Sequence, residues 1–343
     1  MKVILMNKSR TPSVIRFRSK YKNKTISRHK PQKVSKPKSQ KKSRKDPLQS
    51  IKKNNHLPEL ESKVSKTSVN NRIREKLKEL NYRDTKQIRT HLNTINAALN
   101  KDDSGKINLI LGGSLQKHTY VHGISDVDVL AKIDKSDMRD LPPKKILKNF
   151  TKRLQTRLPT SKIKKGKLAA TVKFLTSGRE FQVLPTFPTE NGIKLNNGNG
   201  KTWGDPIIPS KFTSKLTQIN EENAYLVIPV IKIFKSITNA LPEDMQLKGY
   251  HLENISTRAF NHYKGCKTPK DMLVHLTRYT SKAIKKPIRD VTGESDYLDS
   301  YLGRAQSQRR KNIHKALQII LRRMKRADSE VSLEKWDKLL NEI

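Results

Sequence analysis

The chain has 343 residues and a formal net charge of +42, a charge that favours a polyanionic partner such as nucleic acid or nucleotide phosphates. Its single cysteine, Cys266, excludes an intrachain disulfide and a cysteine-rich zinc site. No apolar stretch approaches the ~20 residues of a membrane-spanning helix. The apolar run at residues 1–6 is also shorter than the ~7–15 residues of a secretory signal. We therefore expect a cytoplasmic protein without membrane insertion.

The first 56 residues are a basic segment with one acidic residue, Asp46, among serine, proline, glutamine and asparagine. Such a segment buries too little apolar surface to offset the entropy of ordering, so we predict a disordered tail. Its charge density favours binding to a phosphate backbone without base specificity, and a solubilising leader is the simpler alternative.

Two helices are predicted next, at about 67–80 and 84–99, because apolar residues recur there at helical spacing. Asp84 is the expected N-cap of the second helix. We expect both helices to pack one face on the sheet that follows. Their basic outer faces either extend a nucleic-acid surface or are simply solvated.

A strand, a turn, a short helix and a second strand are predicted at residues 107–131. The apolar run Ile107–Leu111 ends at Gly112-Gly113-Ser114, a turn whose backbone N–H groups and serine hydroxyl suit a phosphate. On the second strand Asp126 and Asp128 share one face, about 6–7 Å apart along the strand. Two carboxylates so placed repel one another unless a hard cation such as Mg²⁺ lies between them.

The remaining chain predicts an α+β fold. A helix is expected at 143–157, a basic linker at 162–167 and a hairpin of strands at 168–175 and 180–184. Helices follow at about 220–240, where Asn220 is the expected cap and Pro229 the expected kink, and at 268–286, 304–327 and 333–340. We divide the chain into a tail at 1–56, a mixed-sheet catalytic lobe at 57–210 and a helical lobe at 211–343, with a ligand between the lobes.

The central residues carry a family resemblance. Gly113-Ser114, followed by Asp126-Val127-Asp128 after a Thr-x-x-x-Gly-x-Ser spacer, resembles the signature of the polymerase-β-type nucleotidyltransferases. The resemblance is strongest to the branch of 2′-5′-oligoadenylate synthases, cyclic GMP–AMP synthase and bacterial CD-NTases. It implies that Gly113 and Ser114 bind the triphosphate of a nucleotide. It also implies that Asp126 and Asp128 are catalytic and hold Mg²⁺ or Mn²⁺.

The sequence departs from this family at a third carboxylate. Family members place an Asp directly before a Val-Leu-Pro or Val-Val-Pro, and this chain has Gln182 before Val183-Leu184-Pro185. A glutamine cannot act as a base, although its carbonyl oxygen can ligate a metal. Three outcomes stay open: Glu180 substitutes for the missing acid, Gln182 leaves a slower enzyme, or the site binds nucleotide without turnover.

The resemblance also implies nucleotide contacts in the second half. A family lysine near Lys235 faces the triphosphate, and Lys232 lies three residues earlier and nearly on the same helix face. A solvated charged stripe explains these two lysines equally well. The segment 247–253 resembles a Lys-Ser-Tyr-His-Leu-Glu helix start with Gly249 in place of the serine. Tyr250 is the candidate for stacking on a base.

We therefore expect a Mg²⁺-dependent nucleotidyltransferase that makes a cyclic or linear oligonucleotide signal from nucleoside triphosphates. By resemblance, the setting is antiphage signalling through a downstream effector. The tail and the basic C-terminal helix at 304–327 favour nucleic acid as an activator or substrate. The alternatives are a catalytically degenerate relative that binds nucleic acid or nucleotide, and an enzyme that adds nucleotides to RNA 3′ ends.

Overall fold

The computed structural model describes residues 57–82, 84–101, 107–134, 141–198, 200–294 and 298–341. The predicted disordered tail lies outside these residues. Within the described residues a mixed sheet with its covering helices is followed by a larger set of helices.

The strands are β1 Ile107–Leu111, β2 Val127–Ile133, β3 Ser161–Lys165, β4 Ala170–Phe174, β5 Glu180–Thr189 and β6 Gly192–Lys194. The sheet has the strand order β1-β2-β5-β4-β3, and β6 pairs with the far end of β5. β2 and β5 run parallel, whereas the other neighbouring strands are antiparallel. β3 is consequently an edge strand.

One face of the sheet is buried because apolar residues alternate along its strands. On β2 the side chains of Val127, Val129 and Ala131 are buried, and those between them are only partly so. Two helices cover this face, α2 Thr85–Asn100 and α4 Pro143–Arg157, and their apolar residues join the same core. The opposite face carries Asp128 and stays open for a site.

The second core lies among helices. The helices other than α2 and α4 are α1 Leu57–Leu80, α3 Gly113–Gln116, α5 Pro209–Glu222, α6 Val227–Asn239, α7 Gly249–Phe260, α8 Pro269–Ala283, α9 Gln308–Ser329 and α10 Leu333–Asn341. The centre of this core is α6, whose Val230, Ile233, Phe234 and Ile237 are almost fully buried. Its apolar residues cover most of the helix circumference, as expected for a helix surrounded by others.

The predicted α+β class with a mixed sheet and a helical second half is confirmed. Asp84 caps α2 as predicted, since its carboxylate accepts a 2.9 Å hydrogen bond from the Gln87 backbone N–H. The prediction that both early helices pack on the sheet was wrong for α1. Val69, Ile73 and Leu77 of α1 belong to the helical core, because their apolar stripe faces α6, α8 and α10.

Two further predictions need correction. The basic linker expected at 162–167 is largely the edge strand β3, in which alternate lysines stay solvated while Ile163 packs inward. The single helix expected at 220–240 is two helices, α5 and α6. They are separated by Ala224 and Tyr225, which adopt positive φ values of 56° and 60° that end a right-handed helix.

Asn220 and Pro229 explain how α6 begins. The Asn220 side-chain oxygen accepts a 3.0 Å hydrogen bond from the Ile228 backbone N–H, so it serves the start of α6 from inside α5. Pro229 lies in the first turn of α6, where its missing N–H has no helical partner to lose. The predicted mid-helix kink is therefore absent from α6.

None of the helices in the described ranges is long and apolar enough to cross a lipid bilayer. The division of residues 57–343 at position 210 stays a prediction.

Candidate active site

The Gly-Gly-Ser turn lies directly against the second strand. Gly113 has a φ of +51°, and a Cβ atom added there would lie only 1.6 Å from Asp128 Oδ2. The Gly112 backbone N–H donates a 2.9 Å hydrogen bond to the Asp128 carbonyl. Only glycine permits both the left-handed backbone and this close approach, so the turn holds Ser114 beside the carboxylate.

Asp126 and Asp128 open onto one cavity of about 770 Å³, which Gly113 and Ser114 also line. Burial raises the pKa of Asp126, against a hydrogen bond from Gln182 that lowers it. Burial also raises the pKa of Asp128, against the nearby Lys117 ammonium that lowers it, and the charge of Asp126 raises it further. The two carboxylates therefore form the destabilised anionic pair that the sequence predicts, and a bound cation would relieve it.

Gln182 lies opposite Asp128 in the parallel register between β2 and β5. Its Nε2 donates a 2.6 Å hydrogen bond to Asp126 Oδ2. Gln182 thus joins the two aspartates in the cavity wall, but as a neutral donor rather than a third carboxylate.

Glu180 is paired elsewhere. Its Oε1 lies 2.9 Å from Lys173 Nζ on the neighbouring strand β4, and Glu180 does not line the cavity. This placement argues against the first of the three outcomes, in which Glu180 replaces the missing acid.

In the cavity wall, two lysines share one fully buried carboxylate. Glu253 Oε1 lies 2.7 Å from Lys235 Nζ, and Glu253 Oε2 lies 2.6 Å from Lys117 Nζ. Burial by itself raises the pKa of Glu253, but the two ammonium groups outweigh that effect and lower it to about 2. Thr119 completes the cluster, since its carbonyl accepts a 3.1 Å hydrogen bond from Lys235 and its hydroxyl donates to Glu253. One carboxylate against two ammonium groups leaves this wall positive and suited to an anion.

Tyr250 lines the same cavity from the start of α7. Its ring centroid lies 4.9 Å from that of Phe212, and Lys117 Nζ lies 4.8 Å from its centre. Its hydroxyl donates a 3.0 Å hydrogen bond to Asp290. Burial raises the pKa of Tyr250 well above its usual range, so the hydroxyl stays protonated. Tyr250 as a whole residue is 37% exposed, and its ring lies in the cavity wall beside Phe212 and the Lys117 ammonium.

The structure brings together seven of the eight residues predicted for the site. They are Gly113, Ser114, Asp126, Asp128, Gln182, Lys235 and Tyr250. Lys232 is the exception. It is buried, its Nζ donates a 2.5 Å hydrogen bond to Asn81, and it does not line the cavity. A nucleotide contact from Lys232 is not supported, because the three-residue step from Lys235 rotates it toward α1.

Lys117, Glu253 and Phe212 also line the cavity, and the sequence reasoning missed their contribution. Lys117 offered a usable signal, because it lies three residues after Ser114 on a short helical turn, where side chains share a face. Glu253 offered only its place in the 247–253 motif, and its contact with Lys117 joins residues far apart in the chain.

The donor set suits one divalent cation better than two. Within the described ranges, no three His, Cys, Asp or Glu side chains are grouped to hold a metal ion. Mg²⁺ is commonly held by one or two carboxylates together with substrate phosphates. Asp126 and Asp128 fit that arrangement. Asp126 Oδ2 already accepts a hydrogen bond from the Gln182 side-chain N–H. The described part of the chain therefore lacks a complete set of ligands for a second cation.

A family model describes the part of the chain that contains this turn and carboxylate pair. Residues 67–220 match the model of the Second Messenger Oligonucleotide or Dinucleotide Synthetase domain. A solved structure of CdnC with ATP, from E. coli MS115-1, superposes with a TM-score of 0.61 at 16% identity, over 79% of this chain and 96% of CdnC. The chain has the CD-NTase fold.

Two further CD-NTase structures have the same fold as this chain. CdnG of Bradyrhizobium diazoefficiens, solved with GTP, gives a TM-score of 0.59 at 12% identity, over 80% of this chain and 94% of CdnG. The cyclic AMP-GMP synthase DncV of Vibrio cholerae, solved with a linear intermediate, gives a TM-score of 0.58 at 12% identity, over 86% of this chain and 92% of DncV. No match was found among curated protein sequences. The predicted resemblance to the CD-NTase branch is confirmed.

Proposed function

We propose that this protein is a nucleotidyltransferase that joins nucleoside triphosphates into a cyclic or linear oligonucleotide signal. The observation that carries the proposal is the contact between the Gly112-Gly113-Ser114 turn and Asp128 inside a cavity that Lys117 and Lys235 also line. This arrangement offers phosphate donors, a cation site and positive charge around one space. The match to a second-messenger synthetase domain supports the same activity.

The residues divide the work as follows. The turn and Ser114 would bind the triphosphate, with Lys235 and Lys117 neutralising its charge. Asp126 and Asp128 would hold Mg²⁺ or Mn²⁺, which supplies charge neutralisation at the phosphates when bound. Tyr250 would stack on a base. In the reaction, an acceptor hydroxyl oxygen bonds to the α-phosphorus, the α–β phosphoanhydride bond breaks, and pyrophosphate and the hydroxyl proton leave.

A second candidate is a degenerate relative that binds nucleotide without turnover. The observation in its favour is the hydrogen bond that Gln182 donates to Asp126. A general base at position 182 would have to accept a proton, and the Gln182 amide donates one to a hydrogen bond instead. Glu180 is held by Lys173 and offers no replacement. The enzyme is favoured over this alternative because two carboxylates with substrate phosphates already complete one cation site.

The partners follow from the same proposal. The substrates are nucleoside triphosphates, in keeping with the relatives solved with ATP and GTP. A downstream effector would read the product, as in antiphage signalling. A protein partner is also a candidate, since CdnC was solved in a complex with a HORMA protein. The charge of +42 adds nucleic acid as an activator or acceptor.

The test is incubation of the full chain with labelled nucleoside triphosphates and Mg²⁺ or Mn²⁺, with and without RNA or DNA. Product without a polynucleotide acceptor supports the messenger synthase, and elongated RNA supports 3′-end addition. ATP binding without any product supports the degenerate relative. Asp126→Asn and Asp128→Asn must abolish any product, while the exposed Asp244→Asn must not.

A further inference from the structure

The open face of the sheet carries a row of side chains that leads from the carboxylate pair to the sheet edge. Directly paired residues place their side chains on the same face. Asp128 pairs with Gln182, Gln182 pairs with Thr171, and Thr171 pairs with Lys164 on the edge strand β3. At about 4.8 Å per strand, Lys164 lies on the order of 14 Å from Asp128.

A second row runs beside the first. Glu180 pairs with Lys173, and Lys173 pairs with Lys162 on β3. Lys173 is engaged by Glu180, whereas Lys162 and Lys164 are exposed, and no acidic side chain in the described ranges forms an ion pair with either. We call the surface formed by Lys162, Lys164, Thr171 and Lys173 the β3–β4 track.

The track belongs to a segment without acidic residues. Residues 141–179 contain twelve lysines and arginines and no aspartate or glutamate. Lysines on an edge strand also protect it from pairing with other strands, and that role needs no ligand. Since Ile163 packs into the core on the other face, Lys162 and Lys164 occupy the open face, which also carries the cavity, and there Lys164 lies in register with the Asp128–Gln182 row.

We propose that the β3–β4 track binds the phosphate backbone of a single-stranded oligonucleotide whose 3′ end lies at the Asp126–Asp128 pair. Lysines bind phosphates as point charges and release counterions without reading the bases. A length of about 14 Å spans about four nucleotides at the ~3.4 Å rise of one stacked strand. The row of side chains begins inside the cavity. The end of a single-stranded oligonucleotide therefore enters the cavity more readily than the side of a duplex does. The inference rests on the proposed function, because it makes the bound strand the acceptor.

The test compares two double variants of the full chain by fluorescence anisotropy with a short fluorescein-labelled oligoadenylate. Lys162→Gln with Lys164→Gln removes two charges from the track and keeps polar side chains on the edge. Lys282→Gln with Lys286→Gln removes two equally exposed charges at the end of α8. In a salt titration, the slope of log affinity against log salt should fall by about 1.4 in the track variant, at ~0.7 per lost single-strand contact.

The control variant should keep the slope of the original chain, and ATP affinity should be unchanged in both variants. A track variant with the original slope overturns the proposal, and so does an equal loss in the control. Failure of the proposed function has a different signature. The chain would then transfer no nucleotide to any acceptor, while the track variant would still bind the oligonucleotide with a reduced slope.

Discussion

Gln182 Nε2 lies 2.6 Å from Asp126 Oδ2 and donates a hydrogen bond to it. The amide therefore fixes the orientation of one carboxylate of the pair while adding no negative charge. Its position opposite Asp128 in the β2–β5 register places it in the cavity wall. Position 182 is therefore the place where this site differs from a set of three carboxylates.

Gln182→Asp should increase nucleotide transfer by about tenfold or more, because a carboxylate there supplies a metal ligand and a base, and general-base catalysis contributes about 10²–10⁴. Labelled-nucleotide product formation measures the change. Gln182→Asn is the matched neutral control and should show no gain. An equal rate in the Asp and Asn variants would rule out a missing acid as the limitation.

Asp128→Asn should abolish Mn²⁺ binding but increase stability, because it removes a buried charge that Asp126 and Glu253 repel. We expect the free energy of unfolding to rise by about 1 kcal/mol, in the range of single stabilising changes that cost function. Urea denaturation and Mn²⁺ titration measure the two effects. A destabilised Asn variant would contradict the repulsion described here.

Gly113→Ala should lower stability and weaken ATP binding, since the left-handed backbone costs about 1–2 kcal/mol and the new Cβ displaces the Asp128 carboxylate. Gly112→Ala is the control. It has an extended backbone, and its Cβ would meet only the Leu130 side chain at 3.2 Å. Equal losses of ATP affinity in the two variants would contradict a specific role for Gly113.

Lys235→Met should reduce ATP affinity by about tenfold, equivalent to ~1.4 kcal/mol, because its ammonium faces the cavity. Lys232→Met alters a lysine of equal burial that bonds to Asn81 outside the cavity, and it should leave ATP affinity within about twofold. Fluorescent-ATP binding separates the two. A larger loss from Lys232→Met would restore the sequence-based expectation.

Glu253→Gln should destabilise the fold by about 3–5 kcal/mol, because it leaves the buried Lys235 without its anion. The pKa of Glu253 is lowered from 4.5 to about 2, so its contribution to stability is present above the unfolded value of 4.5. That contribution is lost as pH falls through the folded value near 2. Urea denaturation between pH 5 and about 2 should show a shallower pH dependence in the Gln variant. Parallel curves would contradict the lowered pKa.

Residue patterns alone determined the local features that need only a short stretch of chain. The strand Ile107–Leu111, the Gly-Gly-Ser turn and the shared face of Asp126 and Asp128 are set by alternation and by glycine chemistry within about twenty residues. The neutral residue at position 182 was visible as well. These features sufficed for the resemblance and for five of the residues that line the cavity, which are Gly113, Ser114, Asp126, Asp128 and Gln182.

Tertiary structure decided which distant groups meet. Glu253 pairs with Lys117 across more than a hundred residues while it also pairs with Lys235, and no local pattern encodes the contact with Lys117. Tertiary structure also decided that α1 is buried in the helical core. It decided as well that α5 and α6 are separate helices, because the hydrogen bond of Asn220 to the start of α6 overrides a continuous helical pattern. Strand pairing likewise aligned Lys164 with Asp128, because register follows from the whole sheet rather than from either strand.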